Sequence, residues 1–366
     1  MQQIGISTGG GDAPGLNAVI RAIVLSATNY GWQCVGIRDG YNGLLLPEKY
    51  PAGDGLIPLN RDRVRGITHL GGTILGTTNR GNPLRFPLPT ADGQIQEVDR
   101  TAELVAALQN ANIEALIAIG GDGSMEIAHH LSRQGVRVIG VPKTIDNDLD
   151  GTVVTFGFNT AVSFATECLD RLHSTAESHH RLMVVEVMGR HAGWIALCAG
   201  VAGSADAILI PEIPYNIEKV AEKIRQRDAA GRHFSIIVVA EGSKPAGGTF
   251  STLGQREPGR VERLGGIGQK IGAELEALTG REARVVVLGH LQRGGSPTTE
   301  DRLLGLRFGS AAIRALAEGQ SGVMVAIDPP YVQYVPLEQA TSRMKSVPLD
   351  GDIMLTGRDL GISFGD

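Results

Sequence analysis

The sequence predicts an α/β protein built from βαβ units around a mostly parallel sheet. Three observations carry that expectation. Short apolar runs of strand length recur along the chain, each followed by glycine and then by a segment of helical periodicity. Most of these runs are continuously apolar rather than alternating, as strands covered on both faces are. The chain has 366 residues, 42% of them hydrophobic, enough for two or so domains of ~100–200 residues each.

The elements follow in order. IGIST (4–8) leads through GGGDAPG into a helix with Leu16, Val19, Ile20, Ile23, Val24 and Ala27 on one face. Further strands are expected at CVGI (34–37), ALIAIGG (115–121), RVIGVP (137–142), LMVVEVMG (182–189), AILIPE (207–212), SIIVVAEG (235–242) and RVVVLGH (284–290). Ligands of such sheets bind beyond the carboxyl ends of the strands. That rule gathers GGGD, GGDG, PKTIDND, MGR, AEG and GHLQR at one place. Residues 243–266 read as a mobile surface loop, and the tail after Pro329 reads as irregular. No fixed-period repeat is visible.

Composition narrows the function classes. The net charge of −5 carries no basic excess for nucleic acid or an anionic membrane surface. Cys34, Cys168 and Cys198 are widely spaced and odd in number, which reads as reduced thiols in a cytoplasmic protein. The N-terminus lacks the pattern of a signal peptide, and no apolar run approaches the ~18 residues of a membrane span. The 50 glycines are nearly double the usual ~7% share and sit at the ends of the apolar runs. There a backbone turns sharply or a ligand comes close.

Gly9-Gly10-Gly11-Asp12 opens a helix after a strand. Such a turn can cradle phosphate with its amides, or it can be a plain tight connector. Gly120-Gly121-Asp122-Gly123-Ser124 repeats the arrangement with an acid added. Asp122 can serve as a helix N-cap, or as a carboxylate beside bound phosphate where Mg²⁺ sits.

Between these and the next turn lies PKTIDNDLDGT, 142–152. Asp146 and Asp148, at alternate positions, point the same way in an extended segment, while Asp150 belongs to the following turn. One carboxylate can hold Mg²⁺ and the other can accept a hydroxyl proton, with Thr144 and Lys143 beside a phosphoryl group; a solvated acidic loop is the plain alternative. An ordinary aspartate, pKa about 3.9, is a weak base. Phosphoryl transfer passes through a loose transition state, so position and charge neutralisation matter more than base strength. Any one of Arg181, Arg190, Arg284, His290 and Arg293 alone reads as a surface salt-bridge residue, but several at strand ends, with Glu241 as a hydroxyl acceptor, together look like a sugar-phosphate site. His173, His179, His180 and His191 have no metal-ligand spacing.

In this order GGGDAPGLNAVIR, GGTILG, IGGDGS, PKTIDND, SHHR, VEVMGRHAGW, VAEG and TGREARVVVLGHLQRGGSP resemble the 6-phosphofructokinase family of glycolysis, from about residue 4 to about 310. The resemblance implies two doubly wound, Rossmann-like, three-layer αβα domains with mostly parallel sheets and the active site between them. It places residues 1–157 with about 292–342 in a phosphoryl-donor domain, and 158–291 with about 343–366 in a fructose 6-phosphate domain. It implies phosphoryl transfer from MgATP to the 1-hydroxyl of fructose 6-phosphate. Asp146 falls on the base, Thr144 on a phosphate-contacting hydroxyl, and Asp122 and Asp148 on metal-associated acids. Gly11, Tyr41, Arg80, Gly121, Asp122, Gly123 and Ser124 fall on donor-site positions. Met188, Gly189, Arg190, Glu241, His290 and Arg293 fall on the sugar-phosphate site. Arg181 and Arg284 match arginines that reach it from a neighbouring subunit, implying a homotetramer.

Three features depart from the pattern. Relatives that use pyrophosphate resemble GGDD with PKTIDND, while many bacterial ATP users carry GGDG with PGTIDND; this chain joins Gly123 to Lys143. A carboxylate at 123 would occupy the space of a nucleotide α-phosphate, whereas a lysine at 143 need not exclude the nucleoside. ATP is therefore the expected donor, with the pyrophosphate-dependent enzyme as the alternative. In LGTTNRGNP, Arg80 lies one residue past the usual phosphate-bridging arginine; either Asn79 takes its place or the loop is one residue longer. In the effector pocket, Arg21 is present but Leu25, His173 and Asp206 stand at altered positions, so weakened or altered regulation is expected. A Rossmann oxidoreductase would need Gly-x-Gly-x-x-Gly after the first strand, which is absent. An NAD or lipid kinase would not need the arginine set, and a non-catalytic sensor would not need the acidic cluster.

Overall fold

The computed structural model describes residues 2–90, 92, 94–252, 254 and 264–366. Two principal sheets organise them. The larger has eight strands, with Tyr331–Pro336, Val323–Asp328, Val138–Thr144, Ala115–Gly120, Gln3–Thr8, Gln33–Ile37 and Leu56–Leu59 in spatial order, and Phe156–Gly157 paired to Val138–Thr144. Only its two edges are antiparallel. The smaller sheet is wholly parallel, in the order Ala207–Leu209, Ser235–Ala240, Leu182–Val187, Ala283–Val287.

Neighbouring residues of one strand serve different cores, which is why the strands are apolar throughout. In Ala115–Gly120, Ala115, Ile117 and Ile119 pack with the helices Leu16–Asn29 and Thr299–Ala317, while Leu116 and Ala118 join Leu104, Met125 and Leu131 on the opposite face. The smaller sheet repeats this: Val185 and Val187 face the helices Phe158–His179 and Trp194–Ala202, and Val184 faces Ile224 and Ile271. Both bodies are three-layered, helix on sheet on helix.

Some expectations need correction. The tail is regular: Tyr331–Pro336 forms an edge strand, and helices Leu337–Ala340 and Asp352–Asp359 follow. Its strand was obscure because an edge strand buries only alternate residues. Leu56–Leu59 was missed for a related reason, since Pro58 suits an edge but not a sheet interior. The antiparallel pair Phe86–Pro89 and Ile95–Val98 was also missed, its first strand likewise carrying prolines. AILIPE yields a strand only at Ala207–Leu209. Of the expected loop 243–266, residues 253 and 255–263 lie outside the described residues; Lys244 and Ala246 are tied to Tyr215 by backbone hydrogen bonds of 3.0 and 2.9 Å. Among the described residues no helix is long and apolar enough to cross a membrane.

Candidate active site

In the larger sheet Gln3–Thr8 and Ala115–Gly120 are neighbours. The helices that follow them lie on opposite faces, so the winding reverses between their carboxyl ends. Strand ends of the smaller sheet point at the same place. A cavity of about 720 Å³ opens between them, within the ~300–1,000 Å³ range of small-molecule clefts.

One wall is made of glycine turns. Ser124 Oγ occupies space that a Cβ at Gly9 or Gly120 would take, 2.6 and 2.1 Å away. A Cβ at Gly11 would lie 2.7 Å from Arg293 Nη1, so glycine admits that guanidinium. Arg293 Nη1 in turn donates to the Asp12 carbonyl at 3.0 Å. The helix Asp122–Arg133 begins at Asp122, with Gly121 in the cap position. Asp122 is therefore not the N-cap; its Oδ1 accepts the Gly123 N–H at 2.7 Å. Beside Gly123 a Cβ would meet nothing within 4 Å.

The floor is the segment after Val138–Thr144. Lys143 is buried and its Nζ donates to the Gly11 carbonyl, locking strand to turn. Burial, reinforced by Arg293, lowers its pKa to about 8. The Asp146 N–H donates to Thr144 Oγ1 at 3.1 Å, and Asn147 adopts φ 53°, a conformation asparagine tolerates. Asp146 is 4% exposed. Oδ1 of Asp146 and Oδ1 of Asp148 are buried with no hydrogen-bond partner among the described residues. Burial pushes the Asp146 carboxyl up, opposed by Arg293, Arg190 and Lys143. Burial, with Asp146 and Asp122 nearby, raises Asp148 to about 7. Asp150 faces outward to Arg343 at 2.6 Å, which holds its carboxyl below the usual range.

The opposite wall belongs to the smaller sheet. Gly189 has φ 140° and Arg190 φ 48°, and the Arg190 N–H donates to Glu241 Oε1 at 3.3 Å. A Cβ on Gly242 would stand 1.6 Å from the Arg190 carbonyl oxygen. Burial, then Asp146, raises Glu241 to about 7. Met188, His290 and Arg293 complete this side.

The cavity thus brings together Gly11, Gly121, Asp122, Gly123, Ser124, Lys143, Thr144, Asp146, Asp148, Met188, Arg190, Glu241, His290 and Arg293, and Tyr41, Asn79 and Arg80 also line it. Gly189 sits between two lining residues without lining the cavity itself. Tyr41 is buried, and Arg80 is exposed. Arg181 and Arg284 do not line it; both pair with Glu282 at the amino ends of the strands Leu182–Val187 and Ala283–Val287. Of the residues expected in an effector pocket, Asp206 pairs with Arg227 at 2.7 Å and His173 Nε2 lies 2.8 Å from the Gly203 carbonyl. Sequence reasoning missed Glu186, which lines the cavity and accepts the Gly268 N–H at 2.8 Å. A lone carboxylate inside LMVVEV was the available signal. Among the described residues no three His, Cys, Asp or Glu gather as a metal cluster. The orphaned carboxylate oxygens instead fit a cation that takes its other ligands from phosphate and water.

Comparison with known proteins agrees with this geometry. The family profile described as phosphofructokinase matches residues 3–316. The "ATP-dependent 6-phosphofructokinase" of Chloroflexus aggregans is 53% identical over 365 residues, covering 100% of this chain and 98% of that protein. The "pyrophosphate–fructose 6-phosphate 1-phosphotransferase" of Amycolatopsis mediterranei is 48% identical, covering 95% and 97%. The crystal structure of Pichia pastoris phosphofructokinase in the T-state superposes with a TM-score of 0.79 at 29% identity, covering 93% of this chain but only 35% of that one.

Proposed function

The chain belongs to the phosphofructokinase family, and we propose that it is an ATP-dependent 6-phosphofructokinase of glycolysis. It transfers the γ-phosphoryl group of ATP to the 1-hydroxyl of fructose 6-phosphate, giving fructose 1,6-bisphosphate and ADP. The observation that carries this reading is the pair Asp146 and Asp148, each with a buried, unpartnered carboxylate oxygen, set between glycine turns and a cationic wall.

Each residue has a task. Asp146 accepts the hydroxyl proton as the new O–P bond forms, and ADP leaves with the electrons of the broken bond. Its burial makes it a stronger base than an ordinary aspartate. Thr144, Arg190 and the amides at Gly11 and Gly121 stabilise the phosphoryl oxygens. Met188, Gly189, Arg190, Glu241, His290 and Arg293 hold the sugar phosphate. Asp122 and Asp148 would hold Mg²⁺, which supplies charge neutralisation on the phosphates when bound.

ATP is favoured over pyrophosphate by the open space at Gly123 and by a cavity that continues to Tyr41 and Arg80. Lys143, whose ammonium is engaged by the Gly11 carbonyl, holds the turn and does not block a nucleoside. The same lysine, and the pyrophosphate-dependent relative at 48% identity, support the second reading, in which pyrophosphate is the donor. The division into a donor domain (1–157, about 292–342) and a sugar domain (158–291, about 343–366) follows from these roles. A homotetramer is supported by Arg181 and Arg284, which lie away from their own cavity, and by the edge position of Ala283–Val287, where Val287 lines the cavity yet is 51% exposed. A cytoplasmic location is supported by the three free cysteines, and altered regulation by Leu25, His173 and Asp206 at the expected effector positions.

The test offers purified protein Mg²⁺, fructose 6-phosphate and either ATP or pyrophosphate, and measures the bisphosphate. Turnover with ATP is expected. Turnover with pyrophosphate alone would make Lys143 the deciding residue, and turnover with neither would sink the assignment.

A further inference from the structure

The acidic segment is held from behind by a stretch of chain beyond the residues that the family profile matches, 3–316. Lys345 Nζ donates to Asn147 Oδ1 at 2.8 Å and to the carbonyls of Thr152 and Val153, each at 3.0 Å. Its backbone N–H donates to the Asp148 carbonyl at 2.9 Å. Asn147 Oδ1 also accepts the Thr155 N–H at 3.1 Å, so one ammonium and one carboxamide close the whole turn that carries Asp146 and Asp148. Just before Lys345, Met344 bridges Leu149 and Arg343 pairs with Asp150.

The same stretch is fastened to the other body. Trp194 Nε1 donates to the Lys345 carbonyl at 3.0 Å, and the Lys345 ammonium lies 5.6 Å from the Trp194 ring centroid. The Val347 N–H donates to Glu212 Oε1 at 2.9 Å, and that carboxylate also accepts the Gly193 N–H at 3.0 Å. Gly193 and Trp194 follow directly on the Arg190 loop. Five consecutive residues therefore touch the base-bearing turn at one end and the root of the sugar-facing loop at the other.

We propose that residues 343–347 form a strap that sets the acidic turn in register with the Arg190 loop, and that Lys345 is its positioning residue. Lys345 touches no substrate; it acts through Asn147 and the backbone of the turn. A geometric error of about 1 Å at such a turn is enough to slow the chemical step about a hundredfold. The proposal rests on the phosphofructokinase reading for its kinetic part and on the fold alone for its structural part.

The test uses the full-length protein and Lys345→Met, which keeps the stem and removes the ammonium. The kcat for bisphosphate formation should fall by about tenfold or more, while KM for fructose 6-phosphate stays within about threefold, since the sugar-holding side chains are untouched. Asn147→Gly, which keeps the left-handed backbone, should lower kcat similarly, and the double variant should be little worse than either alone. Hydrogen exchange at the Thr155 amide should quicken by about tenfold in both variants. A kcat within about twofold of wild type, additive effects, or unchanged exchange at Thr155 would overturn the strap. If Lys345→Met does not fold, Lys345→Gln, which also removes the ammonium and leaves Asn147 in place, gives the same readouts. If wild type makes no bisphosphate with either donor, the functional reading fails, and the exchange rates still decide the strap.

Discussion

Two loops face each other across the cavity, and they meet their charges in opposite ways. The turn at Thr144–Asp148 has its backbone fastened, by Thr144 Oγ1, Asn147 and Lys345, yet leaves a buried oxygen on each of two aspartates without a partner. The loop at Met188–Arg190 is satisfied from within: its N–H meets Glu241, and its carbonyl lies against Gly242 with no room for a methyl group. A buried unpaired carboxylate is costly unless something neutralises it. The acidic turn is thus built to be completed by what binds, whereas the Arg190 loop is complete before anything binds.

The largest break in this comparison comes from Asp146→Ser. Turnover should drop by ~10²-fold or more, because a positioned base contributes ~10²–10⁴-fold, while fructose 6-phosphate still binds. Steady-state kinetics beside calorimetric titration checks both halves, and near-normal turnover would remove Asp146 from the role of base. Gly242→Ala attacks the other loop. A methyl group placed 1.6 Å from the Arg190 oxygen must displace it, at a cost of ~1–3 kcal/mol in stability. Thermal melts should show that loss, and KM for fructose 6-phosphate should rise; an unshifted melt with unchanged KM would mean the loop is not tightly seated.

The sequence exposed these two loops unequally. The acidic turn was legible because three aspartates at alternate positions are unusual in any fold, and because glycines mark the turns on either side. Strand positions in the interior were legible too, since burial on both faces leaves an uninterrupted apolar run. What stayed hidden depends on contacts far apart in the chain. Nothing in TSRMKSVP announces that Lys345 reaches Asn147, because the meaning of that lysine lies 198 residues away. Arg293 entering the space left by Gly11, and Glu186 anchoring Gly268, are of the same kind. The carboxylates' departure from ordinary pKa values was equally invisible, being a consequence of burial.

A smaller effect sharpens the comparison through pH. Glu241, the internal partner of Arg190, has its pKa raised from 4.5 to about 7, first by burial and then by Asp146. Its contribution to stability is present in full at acidic pH below its unfolded value and is lost as pH rises through about 7. Wild type should therefore lose more melting temperature than Glu241→Gln between acidic and mildly alkaline pH, by roughly 1–4 °C. Parallel curves for the two proteins would mean that Glu241 is already solvated in the free enzyme.

A cation arriving with phosphates should complete the acidic turn, and the melting temperature of wild type and Asp148→Asn, each with ATP in the presence and absence of Mg²⁺, shows whether it does. Wild type should gain several degrees only when both are present, since stabilisation follows binding to the native state, and Asp148→Asn should lose most of the Mg²⁺-dependent part. An equal gain from ATP without Mg²⁺, or an undiminished gain in the variant, would mean that no cation completes the turn through Asp148.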